Sequence, residues 1–177
     1  MRLGIAFRRG KLWQGLAIPL IALVFCGLAA PAGAFNTNAE VNINAPLASS
    51  ALLTITPSSI NFPNADPDTV PSIPASENPV TVTANAQISK NQTATLTAIA
   101  LGDLVSGSNT IPIGNVTWAA SGSGFRAGTM SKTTSQLAGS WTKSGNYSGT
   151  FSFFLHNSWS YATGNYTQTV TYTLTAP

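Results

Sequence analysis

Cysteine occurs once in the 177 residues, at Cys26, and histidine once, at His156. Charge is scarce as well, with Asp, Glu, Lys and Arg making up 7% of the chain. Each shortage excludes something. One cysteine cannot form an intramolecular disulfide, so stability has to come from packing and backbone hydrogen bonds. A single histidine and a single cysteine do not make a set of soft metal ligands. Helical patterning is missing too, because no amphipathic run of ten or more residues occurs after residue 35.

The first 34 residues stand apart from the rest. Arg2, Arg8, Arg9 and Lys11 form a positive start, Leu12 to Ala30 is apolar, and Ala32-Gly33-Ala34 offers small residues for cleavage before Phe35. This is the layout of a cleaved secretory signal peptide. An uncleaved membrane anchor is the alternative use of such a stretch, but the small-residue site and the polar "FNTNAE" favour cleavage. Arg8-Arg9 is a poor twin-arginine signal, since Lys11 stands where an apolar residue is expected. Cys26 is a poor lipid-attachment site, because Phe25 precedes it. The expected location is therefore the periplasm, the cell surface or the extracellular space, with no membrane contact once the leader is gone.

Removing the leader reverses the charge. The chain has eight basic and five acidic residues, and four of the basic ones lie in the leader. The remainder carries four against five, a net charge of −1 in place of +3. Lys90, Arg126, Lys132 and Lys143 are scattered, so no basic patch remains for phosphates and nucleic acid is not an expected partner.

What the chain has in abundance is uncharged polarity in alternation. From Phe35 onward, Ser and Thr fill 41 of 143 positions and Asn another 14. "AEVNINAPL" sets Val41, Ile43, Ala45 and Leu47 on one face. "ALLTIT", "VTVTANA", "TATLTAIAL", "VTWAA", "NYSGTFSFFL" and "QTVTYTLT" continue the period of two, and "LAGSWT" fits a further strand. Pro57 to Pro79 is expected to be an extended surface connection, with helix excluded by its prolines. "DLVSGSN" and "IPIGN" read as turns. These elements predict one all-β domain over residues 35–177, an antiparallel sandwich of about eight to ten short strands.

Catalytic chemistry finds little to build on. No G-x-S-x-G elbow surrounds any serine, and His156 ends an aromatic strand with no partner in sequence. Catalytic, cofactor and metal sites are therefore all expected to be absent. The nearest approach to a metal site is Asn64, Asp66 and Asp68, which alternate like calcium ligands. Pro67 interrupts them, and no acidic residue closes the loop. Four N-x-[ST] triplets begin at Asn91, Asn115, Asn146 and Asn165, as many as this Ser/Thr content produces by chance. The aromatics are more informative. They suit a disulfide-free core, or in part an exposed glycan platform, for which Trp159 and Tyr161 before the last strand are the first candidates. Phe153 and Phe154 must point to opposite faces.

Two stretches carry a resemblance. "YATGNY" resembles the turn entering a late strand of immunoglobulin-like domains, which implies a tyrosine corner at Tyr166. "AEVNINAPL" ahead of "LLTITPSSINF", with a closing Gly-turn and alternating strand in which Gly164 is fourteenth from the end, resembles bacterial pilin subunits and the secreted spore-coat-U-like proteins. Camelysin-like surface sandwiches are similar in texture. The departures are a missing Cys pair, with Ala51 near the first position, and Ala176 where pilins carry an aromatic. "IPIGNVTWAASGSGF" has no counterpart in them. The pilin likeness implies self-association by strand addition, with Val41, Ile43, Ala45 and Leu47 donated to another copy. The simpler expectation is that this segment folds onto its own domain. Function is thus expected to be structural or adhesive and non-enzymatic, with a small glycan-binding module as the alternative.

Overall fold

The computed structural model describes residues 40–177, so the leader lies outside the described residues. The folded unit runs from Asn44 to Pro177. Its strands are β1 (Ser50–Thr56), β2 (Ser72–Pro74), β3 (Val80–Gln87), β4 (Ala94–Ala100), β5 (Leu104–Ser106), β6 (Asn109–Ile111), β7 (Val116–Ser121), β8 (Gly128–Thr129), β9 (Gln136–Trp141), β10 (Gly145–His156) and β11 (Val170–Thr175). Among the described residues, the single helical element is the 3-10 turn Ile113–Asn115. The all-β antiparallel architecture agrees with the period-two pattern. One sheet has the order β1-β3-β10-β7-β8, with β2 also on β10, and the second is β11-β4-β9. A short β5-β6 hairpin stands apart.

Alternation decides which side chains face the interior. Val80, Val82, Ala84 and Ala86 of β3 and Ala94, Leu96, Ala98 and Ala100 of β4 are all buried, and their neighbours are not. The run of alanines leaves room for rings. Phe151 lies at the centre, edge-on to Trp118, Phe125 and Phe153 and stacked on Tyr172 at 6.1 Å. Trp141 stacks on Tyr147 at 4.8 Å and meets Phe125 edge-on at 5.0 Å. Phe153 is buried and Phe154 half-buried, as opposite faces require. Trp118 lies over its cross-strand partner Gly128, where an added Cβ would stand 2.5 Å from the ring. Glycine is the residue that lets the indole lie flat on that strand.

Three expectations need correction. Residues 40–49 alternate as a strand would, yet they are exposed and precede β1 without joining any strand. Alternation is necessary for a half-buried strand but does not itself supply a partner. The Pro57–Pro79 connection is more than surface. Within it β2 pairs with the end of β10, Ile73 and Ala75 are buried, and Ile60 and Phe62 pack on the core. The "DLVSGSN" turn is a hairpin, whose two central residues are Gly107 and Ser108. Gly107 adopts φ 60°, as such a tight turn demands of its first central position.

β10 is the spine. Along one edge it pairs with β3 over Gly145–Phe151 and with β2 over Phe154–His156. Asn78 fills the break between them. Its side-chain amide donates to the Phe153 carbonyl at 2.8 Å, and its oxygen accepts from the Phe153 amide at 2.8 Å. One side chain thus imitates a peptide unit in the ladder. Glu77 beside it accepts from the Asn61 amide at 2.7 Å and from the Asn61 side chain at 2.8 Å, tying down the proline-rich segment. Those bonds hold the Glu77 carboxyl below its ordinary value.

Two outcomes follow from these contacts. Asn78→Ala orphans the Phe153 amide in a part-buried setting and should lower unfolding free energy by about 2–3 kcal/mol in urea titration. The lowered Glu77 carboxyl contributes above the ordinary Glu range, and its contribution disappears as pH falls through the depressed folded-state value. In an NMR pH titration the Asn61 amide shift should follow that protonation, and Glu77→Gln should abolish the response.

Candidate functional site

The two long sides of the sandwich differ. On one, Gly124–Arg126 crosses to the outer edge of β9: the Arg126 amide donates to Ala138 O and the Ser140 amide to Gly124 O, both at 2.9 Å. Extended by one residue to Ser123, this segment takes the ring N–H groups of both buried tryptophans. Trp118 donates to Arg126 O at 2.8 Å and Trp141 to Ser123 O at 2.9 Å. Buried indoles need such acceptors, so this side is sealed by backbone and rings together.

The other side is bounded by β1 and β11, the edge strands of the two sheets. They have Cα atoms within 8 Å of each other but share no ladder. Among the described residues each pairs on one edge alone, β1 with β3 and β11 with β4. Their inward residues, Leu53 and Ile55 on β1 and Val170, Tyr172 and Leu174 on β11, are half-buried against a core whose centre is fully buried. Neither strand contains a charge or a proline, the two common guards of a sheet edge. Outward, Thr171, Thr173 and Thr175 form the exposed column expected of the last strand.

Across the end of the first sheet, where β1 starts, β3 ends and β10 begins, lies a hollow of about 810 Å³, lined by residues 47–52, 85–89 and 144–146. Leu47 is 82% exposed and Leu52 62%. The hollow contains no titratable side chain. It offers apolar surface and amide or hydroxyl groups, which suit a chain or a neutral ligand and give no acid or base for catalysis. Asn85 Oδ1, belonging to a lining residue, is buried without a partner among the described residues.

The remaining sequence candidates fall as follows. Val41 and Ile43 belong to a separate N-terminal unit and are 83% and 91% exposed. Ala45 and Leu47 are exposed at the start of the folded unit. Tyr166 donates its hydroxyl to Ala162 O, four residues back, at 2.8 Å. Tyr147 makes the same bond to Lys143 O at 2.5 Å. Both follow Gly-Asn, so "GNYSGTFSF" and "GNYTQTVTY", which resemble each other in sequence, share a turn with the same tyrosine bond. His156 lies 3.4 Å from the Tyr161 hydroxyl. Asp66 Oδ1 accepts from the Asp68 amide at 2.9 Å, and Asp68 Oδ1 from the Trp159 ring N–H at 3.0 Å. The acidic bend thus commits one oxygen of Asp66 to a turn and one oxygen of Asp68 to an indole. No group of three His, Cys, Asp or Glu able to hold a metal occurs among the described residues. No helix among them is long and apolar enough to cross a membrane.

No protein-family model matches this chain, and no curated protein matches it either. Geometry alone therefore carries the functional argument.

Sequence reasoning missed two features. The neighbouring edges of β1 and β11 depend on topology, and no local signal encodes them. The Asp68–Trp159 contact joins residues 91 positions apart, with each residue pointing locally to a different chemistry.

Tyr172 offers a probe of the open side. Its hydroxyl is buried with no partner among the described residues, and burial pushes its phenol well above the ordinary value. The unfolded chain therefore ionises first. Stability from this group is complete below about pH 10 and is lost as pH rises beyond it. Tyr172→Phe should raise stability by about 1 kcal/mol at neutral pH and blunt the alkaline loss, both read from denaturant curves across pH.

Proposed function

We propose that this protein is an exported, non-enzymatic structural or adhesive subunit of a bacterial surface or matrix, which associates with further copies by β-strand addition. One observation carries the reading: a seam and a segment that suits it occur in the same chain. The seam is the pair of uncharged, proline-free edges with half-buried apolar residues. The segment is residues 40–49, exposed, in no strand, and apolar at every second position from Val41 to Leu47. A donated strand gains affinity from backbone hydrogen bonds, and its alternate side chains fill the pockets of the acceptor.

The seam limits how this happens. Neighbouring strands lie about 4.8 Å apart, so a strand seated between two others separates them by roughly 10 Å. β1 and β11 have Cα atoms closer than that. A donor therefore extends one sheet at its edge, or displaces β1 outward where the strands converge. Either route leaves the aromatic centre in place.

A pair of chains tests this, one spanning 35–177 and one 48–177. Light scattering should find concentration-dependent oligomers for the longer chain and monomers for the shorter. Added peptide 36–49 should raise the melting temperature of the shorter chain by several degrees, as binding to the folded state alone requires. Monomers throughout, with melting unchanged by the deletion or the peptide, would rule out strand donation.

A further inference from the structure

Beyond the seam, one aromatic residue is displayed rather than packed. Trp159 is 70% exposed, whereas Trp118 and Trp141 are buried. It does not dangle, because its ring N–H donates to Asp68 Oδ1 at 3.0 Å. That bond fixes the ring by its polar edge and leaves its surface to solvent. The loop carrying it is pinned as well. The Asn157 side chain donates to Ala65 O at 3.0 Å and to Val70 O at 3.1 Å, and its backbone amide donates to Pro71 O at 2.9 Å. Ser158 and Ser160 hydroxyls lie 2.8 Å apart on either side of the ring's residue.

We propose that Trp159 and Asp68 form a binding site for a neutral pyranose ring of a glycan. Three features select this ligand. A held, exposed indole presents a flat apolar surface matched to the C–H face of a sugar, and its conformational freedom is already spent, which lowers the cost of binding. Asp68 Oδ2 makes no hydrogen bond among the described residues and can accept from a sugar hydroxyl beside the ring. The Ser158 and Ser160 hydroxyls add neutral donors and acceptors at the rim. A cationic ligand is the competing chemistry, but recognition of a quaternary ammonium uses a cage of several aromatic faces. Here the neighbouring Tyr161 is half-buried, with its hydroxyl toward His156.

The site is independent of strand addition, and its test reads a different signal. The purified protein is titrated with hexasaccharides of β-1,4-glucose, β-1,3-glucose and N-acetylglucosamine, and with tetramethylammonium. The observables are tryptophan fluorescence and the indole N–H resonance of Trp159. At least one hexasaccharide should shift that resonance at millimolar concentration. Trp159→Ala should weaken binding by about tenfold or more, Trp159→Phe should retain part of it, and melting temperature should change little in either variant. Asp68→Ala should weaken the same interaction, while Asp68→Asn, which keeps an acceptor for the indole, should weaken it less. No response to any of the three sugars overturns the proposal. So does equal binding by Trp159→Ala, or a response to tetramethylammonium alone.

Discussion

The contact between aromatic rings of the two sheets is the constraint on which the rest depends. Phe151 on β10 stacks on Tyr172 of β11, and Tyr147 on β10 stacks on Trp141 of β9. Those pairs bind one sheet to the other where a disulfide-free sandwich has no covalent link. Each large ring buries about 150–250 Å², and a well-oriented pair contributes about 0.5–1.5 kcal/mol beyond that burial. A disulfide typically contributes about 2–4 kcal/mol, so a cluster of this size is an adequate replacement. The alanines of β3 and β4 and the glycine under Trp118 are consequences of the same choice, since large rings need small neighbours at native packing density.

The rings also explain why the two sides of the sandwich are unequal. Trp118 and Trp141 have polar ring N–H groups that must be satisfied once buried. Segment Ser123–Arg126 supplies the two carbonyls that satisfy them and, in crossing over, seals its side. Tyr172 is the large polar aromatic facing inward near the opposite edge, and its hydroxyl has no such partner among the described residues. Among the described residues no crossing segment caps β1 and β11, and their inward residues are half-buried. The open seam is the part of the sandwich that the aromatic design leaves unfinished.

Much of this was legible in the sequence because period two is a strong signal where strands are long. β3, β4, β7, β10 and β11 coincide with the alternating runs, and the apolar residues in phase with each run face inward. Short strands were not legible. β2 has three residues and exists because the end of β10 offers an edge and Asn78 bridges the gap, both long-range facts. Residues 40–49 show the converse failure, since the right pattern without a partner produces no strand. Trp159 stood out locally as an aromatic in a polar loop. Its fixed orientation depends on Asp68, whose own surroundings pointed toward an acidic turn.

The arrangement keeps the proposed assembly edge and the proposed glycan contact apart. β10 begins at the hollow beside the start of β1 and ends at the Trp159 loop. Twelve extended residues span roughly 36–40 Å, so the two features lie at opposite ends of one stiff element. β1 pairs alongside the first half of that length, through β3, and its register ends at Thr56 opposite Thr81, which faces Thr150. A strand added at the start of β1 therefore lies far from the indole. The second half of β10 is braced by β2 and β7, and the loop beyond it is pinned to the Ala65–Pro71 turn. Under the proposed chain addition at one end, the other end stays exposed in every copy. In the proposed assembly, weak single-ring contacts repeated from copy to copy would add through effective concentration, which is a physical route from building unit to adhesion.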